Sequence, residues 1–119
     1  MALDDLQQGR IDPANRKFAE LAKESSDGTK VAAQLMQAGI ALQQGRNADA
    51  IRIYAAVAAD VDAPKPYRDL ATLREVAANF DSLPPQQVID RLKPLAVPGN
   101  AWFGSAGELV GAAYIKQNR

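Results

Sequence analysis

One carboxylate, Glu108, sits inside an otherwise apolar stretch, Gly107 to Ala113, and an acid of this kind could take part in glycoside hydrolysis. That reaction ordinarily uses two carboxylates flanking the scissile bond. No second carboxylate accompanies Glu108 at helical spacing, so catalysis is not expected. Asp4, Asp5, Asp60, Asp62 and Asp81 are the other candidates by type, for calcium. None lies in a D-x-D-x-D-G loop with its distal Glu, so they read as solvated loop and cap residues. The chain has no Cys and no His, which excludes thiol nucleophiles, imidazole bases, zinc fingers and His-ligated metals. Neither a metal nor an organic cofactor is expected. Trp102 and Phe103 are binding anchors by type, but in a chain with one Trp and three Phe they serve more simply to pack a loop onto the preceding helix.

What must position these side chains is a set of helices. Leu-Gln-Gln-Gly-Arg occurs at Leu6 to Arg10 and again at Leu42 to Arg46, 36 residues apart. In each copy an Ala follows five residues after the Gly (Ala14 after Gly9, Ala50 after Gly45), and an aromatic four residues later (Phe18, Tyr54). A two-helix repeat needs this spacing. The Gly ends helix A in a left-handed turn, the small residue lets helix B approach, and the ring fills the gap one turn on. Arg10 and Arg46 then stand near the negative end of helix A.

Composition agrees. The chain of 119 residues is 47 % hydrophobic, of one-domain length, and carries 23 Ala against 6 % aromatics, which favours closely stacked helices over a sheet. Formal net charge is zero, with no block of five or more like charges, so nucleic acid and anionic membrane are poor partners. No run of apolar residues reaches the roughly 18 to 20 of a membrane span, so direct membrane insertion by this chain is not expected.

Along the chain, Asp12 and Pro13 start a helix that runs to about Glu24 and ends in Ser25, Ser26, Asp27 and Gly28. Thr29 caps the next, with Val31, Leu35, Ala38 and Leu42 on one face, closed by Gly45. Asn47 caps a third, with Ala50, Ile51, Tyr54, Val57 and Ala58 inward. Pro66 opens a fourth, with Tyr67, Leu70, Leu73, Ala77 and Phe80 as its stripe. Ser82, Pro84 and Pro85 open a fifth, in which Val88, Ile89 and Leu92 repeat Ala50, Ile51 and Tyr54 after 38 residues. Pro94 limits it. After a Pro98-Gly99-Asn100 loop the last helix carries Val110, Gly111 and Tyr114. Gly104, Gly107 and Gly111 each cost about 1 kcal/mol relative to Ala in a helix, and close approach of a neighbouring helix is the expected compensation.

Ala14-x3-Phe18, Ala50-x3-Tyr54 and Val110-Gly111-x2-Tyr114 resemble the helix signatures of tetratricopeptide repeats, which stack units of about 34 residues. The likeness covers essentially the whole chain. Tyr67-Arg68-Asp69-Leu70-Ala71, Arg91-Leu92-Lys93-Pro94-Leu95-Ala96 and Pro98-Gly99-Asn100-Ala101-Trp102 also look like the soluble domain of the bacterial membrane-anchored ancillary subunit of the Sec translocon. That resemblance implies an inner-membrane anchor upstream of Met1, a periplasmic location and further helices after Arg119. In two copies the apolar stripe of helix A departs from the repeat pattern by one residue: Leu35 and Ala38 are apolar where Gln34 and Gln37 are not, and Leu73 and Val76 where Thr72 and Glu75 are not.

The expected fold is therefore all-α, a right-handed α-solenoid of antiparallel helix pairs with about six helices, truncated at both ends. Its copies are roughly 1–28, 29–63, 64–97 and a partial 98–119. Gly9, Ala14, Phe18, Gly45, Ala50, Tyr54, Val88, Leu92, Gly111 and Tyr114 are the expected repeat-packing positions. Such a stack offers a concave face of successive A helices to a peptide or a partner helix. Leu35, Gly39, Gln43, Ala77, Asp81, Ser105, Glu108, Ala112 and Lys116 are its expected lining. The expected function is a non-enzymatic protein interaction scaffold working with the translocon and periplasmic chaperones. A helical accessory domain of a peptidoglycan enzyme is the alternative. So is self-association, in which an apolar face around Leu109, Val110 and Tyr114 pairs two copies through the last helix.

Overall fold

A computed structural model describes residues 26–118 of the chain. Among the described residues it is all-helical, with five α-helices, one 3-10 turn and no strand: α1 (Ser26–Gln43), α2 (Asn47–Ala58), α3 (Lys65–Ala78), α4 (Pro85–Leu92), the turn Lys93–Leu95, and α5 (Phe103–Gln117). Gly9, Ala14 and Phe18, with the first repeat copy up to residue 25, lie outside these residues.

The helix ends follow from local chemistry. Gly45 takes φ 79°, and two bonds close the turn: the Arg46 N–H donates to the Ala41 carbonyl (2.8 Å) and the Gly45 N–H to the Leu42 carbonyl (3.1 Å). This pair is the Schellman arrangement, which satisfies carbonyls that the last helical turn leaves open. Pro66 lies in the first turn of α3 and Pro85 opens α4, positions where a missing N–H costs nothing. Pro94 cannot extend α4 as an α-helix, so the chain tightens into the 3-10 turn. Gly99 takes φ 92°, and the Asn100 Oδ1 accepts the Trp102 N–H at 2.8 Å just ahead of α5.

Two expected caps are corrected. α1 already runs through Ser26 to Gly28, so Thr29 is an interior residue; Ser and Asp suit a first helical turn as well as a break. Asn47 is the first residue of α2, and the N-cap is Arg46, with no side-chain cap bond.

Consecutive helices pack on one another, and their buried residues form two clusters. The first joins Val31, Leu35, Ala38 and Ala41 of α1 to Ala50, Tyr54 and Val57 of α2, with Ala63 and Ala71. The second joins Leu73 and Val76 of α3 to Val88, Ile89 and Leu92 of α4, Leu95, and Ala106, Val110 and Ala113 of α5. Helix α3 serves both, turning Ala71 to one cluster and Leu73 and Val76 to the other. Ala50 and Val88, and Tyr54 and Leu92, are fully buried at the same 38-residue offset.

Two repeat-packing expectations fail on α5. A Cβ placed on Gly104, Gly107 or Gly111 would meet nothing within 4 Å, so no helix approaches these glycines closely. Tyr114 is 44 % exposed and fills no gap between helices. At 3.6 residues per turn, Ala106, Val110 and Ala113 form the inner face of α5, and Gly111 and Tyr114 fall outside it. The expected open face is corrected in part: Val110 is buried in the second cluster and Leu109 packs at its edge, while Tyr114 is exposed.

Candidate functional site

Three alternate helices, α1, α3 and α5, line a groove of about 440 Å³ without a residue from α2 or α4. Leu42 contributes from the end of α1; Leu73, Arg74, Ala77 and Ala78 from α3; and Ser105, Glu108 and Leu109 from α5. Spacings of three and four residues put each set on one helical face. The floor is apolar, and its volume lies within the range of about 300–1,000 Å³ common to ligand clefts.

Ala77, Ser105 and Glu108 are thus brought together as expected. The other expected lining residues are not in the groove. Leu35 is buried in the first cluster and is core, not lining. Gly39 and Gln43 lie off the groove, which Leu42 reaches in their place. Steps of four residues rotate 40° too far each time on a 3.6-residue helix, so the series 35, 39, 43 drifts away from a face that 35 and 42 bracket. Ala112 is half-buried beyond the lining, and Asp81 is exposed after the end of α3. The Lys116 Nζ stands 4.6 Å from the centroid of the Phe80 ring, a cation–π contact that ties the last turn of α5 to the residues after α3.

Leu42, Leu73, Ala78, Leu109 and Arg74 are lining residues that the sequence reading missed, and the charged one is Arg74. Its signal was present: three residues before Ala77, it shares the same helical face. Also missed was Arg91 of α4, which grips Glu75 of α3 in a two-pronged bond, Nη2 to Oε1 at 2.5 Å and Nη1 to Oε2 at 3.1 Å. The Glu75 side chain is 13 % exposed and that of Arg91 33 %. The hydrogen bond to Glu75 raises the Arg91 pKa above its ordinary value, against the lowering effect of burial. This pair accounts for a charged residue, Glu75, on the largely buried side of α3.

A second hollow, about 300 Å³, lies between α1 and α2 over Ile40, Ala41 and Ile53. Its two arginines are already engaged: Asp49 receives Arg52 at 3.0 Å and Arg46 at 3.8 Å. Arg46 also donates to the Gln44 Oε1 at 2.6 Å. In contrast to this hollow, the groove leaves its charges, Arg74 and Glu108, without an ion-pair partner among the described residues.

Trp102 packs against the second cluster as expected, but its neighbour Phe103 is 47 % exposed. Among the described residues no three carboxylates form a group able to hold a metal ion, and no helix is long and apolar enough to cross a membrane. Compared with models of known protein families, with characterised proteins and with solved structures, the chain matches none.

Proposed function

We propose that the chain is a tetratricopeptide-like right-handed α-solenoid and a non-enzymatic scaffold, which receives a segment of a partner protein in the groove across α1, α3 and α5. The observation that carries this reading is the alternation itself. A groove that takes its lining from every second helix is what stacked helix pairs present on their concave side. The shared burial of Ala50 with Val88 and of Tyr54 with Leu92 supports the repeat. The likeness of Tyr67 to Ala71, Arg91 to Ala96 and Pro98 to Trp102 to the translocon ancillary subunit supplies the context. In that setting the chain faces the periplasm beside the inner membrane, on an anchor outside this sequence, and the partners are translocon subunits or periplasmic chaperones.

Crosslinking in cells tests this, with a photoreactive residue at Ala77 or Ser105 and mass spectrometry of the adducts. Adducts with translocon or chaperone proteins from both positions, and none from exposed Val61, are the expected result. Equal yield from Val61, or no adduct from either groove position, overturns the proposal.

A second reading is favoured by a different surface. Phe103, Tyr114 and Ile115 of α5 are 47 %, 44 % and 59 % exposed, large apolar side chains on one helix with the open glycines between them. Self-association through α5 would cover them. Sedimentation across a hundredfold range of concentration tests it: a monomer throughout rejects the reading, and a dimer lost on Tyr114→Ser supports it.

A further inference from the structure

Charge at the groove is arranged more narrowly than a generic binding surface requires. Helix α3 carries five charged side chains. Lys65 is paired with Asp69 at 2.7 Å, the Arg68 Nε donates to the Ala63 carbonyl at 2.9 Å, and Glu75 is held by Arg91. Helix α5 carries two, of which Lys116 lies over the Phe80 ring. Those left over are Arg74 on α3 and Glu108 on α5, and both line the groove. They are opposite in sign and come from different helices, α3 and α5, yet no ion pair joins them within 4.0 Å. Apart from Ser105, the rest of the lining is apolar: Leu42, Leu73, Ala77, Ala78 and Leu109.

We infer that the groove selects a polarised segment of a partner protein: a short apolar run with an acidic residue on one side, which meets Arg74, and a basic residue on the other, which meets Glu108. This rests on the reading of the groove as a protein-binding surface and adds a direction to it. Apolar contact with the floor supplies affinity without orientation. The two charges supply orientation, since a segment laid in backwards would set like charge against like at Arg74 and at Glu108. Both groups are exposed, so each correct contact is worth about two- to fivefold in affinity and fades with salt.

The test uses the full chain and four fluorescent twelve-residue peptides that share one Leu- and Ala-rich centre. One carries Asp before the centre and Lys after it, one the reverse, one Lys at both ends and one Asp at both ends. In fluorescence anisotropy at low salt, one of the two mixed peptides is expected to bind best, several-fold ahead of its reverse and of both like-charged peptides. In the doubly reversed variant Arg74→Glu/Glu108→Arg the other mixed peptide is expected to take first place. An exchange of preference of this kind cannot come from a loss of folding. Equal binding of all four overturns the inference and leaves the groove as a peptide site. First place for a like-charged peptide, or an unchanged order in the double variant, overturns it in the same way. If no peptide binds, the protein-binding reading of the groove falls together with it.

Discussion

Around α1 and α2 the interior is made of small residues, and around α4 it is made of branched ones. Five of the nine buried residues in the first cluster are Ala, with Tyr54 as the large member; the second has two Ala among nine, and Leu, Ile and Val supply the rest. Helix length accounts for the difference. α1 and α2 have 18 and 12 residues over which to spread their small buried side chains, whereas α4 has only 8. A helix of two turns offers few positions, so each must bury more area, and the Glu75–Arg91 pair adds a polar fastening. One half buries mostly small side chains between its helices, the other mostly branched ones.

The contrast is broken most directly by removing a large side chain from the second cluster. Leu92 is fully buried, and Leu92→Ala should cost about 2–5 kcal/mol in denaturant unfolding, the usual range for a buried Leu. A loss below about 1 kcal/mol would mean that α4 is not packed as described. In the first cluster the sensitive change runs the other way. Ala50 has no exposed surface, and Ala50→Leu should destabilise by about 1–3 kcal/mol through overpacking. If the larger residue were accommodated without loss, tight packing around Ala50 would not be what holds that half.

Glu75 and Arg91 sharpen the comparison at a smaller scale. A double-mutant cycle with Glu75→Gln and Arg91→Met should give a coupling of about 1 kcal/mol, since the geometry is two-pronged but Arg91 is a third exposed. Because the folded-state pKa of Arg91 is raised, its share of this stability is complete below the ordinary arginine range. It is lost only as pH rises through the still higher folded value, so Arg91 itself confers no pH dependence near neutrality. Coupling indistinguishable from zero at low salt would leave the second half held by apolar packing alone.

How far the sequence reveals all this depends on the range of the interaction. Gly45, Pro66, Pro85 and Asn100 act within a turn or two of the chain, and the structure places them where their chemistry requires. Ala50, Tyr54, Val88 and Leu92 are legible because the same inward spacing occurs twice in the sequence, 38 residues apart. Thr29 and Asn47 mislead because residues that cap a helix are also tolerated in its first turn. The α5 glycines mislead because their cost says that something must compensate without saying where. Glu75 and Arg91 are 16 residues apart on different helices, beyond any local pattern. Within the groove, Ala77, Ser105 and Glu108 are readable from helix faces, whereas Leu42 depends on the rotation of α1 by less than one residue.

The smallest expected effect concerns the one large residue of the Ala-rich half. Tyr54 is buried to 1 % exposure, and its hydroxyl has no hydrogen-bond partner among the described residues. A buried hydroxyl without a partner keeps the cost of leaving water and gains nothing in return. The ring, by contrast, is buried among the mostly small residues of the first cluster. Tyr54→Phe keeps the ring and removes the unsatisfied oxygen, so it should leave stability unchanged or raise it by up to about 1 kcal/mol in denaturant unfolding. Tyr54→Ala, which takes the ring as well, should cost several times as much as the hydroxyl gains. A clear loss on Tyr54→Phe would show that the oxygen is satisfied in solution. The first half would then, like the second, include a polar fastening, and the distinction between the halves would narrow to the size of their residues.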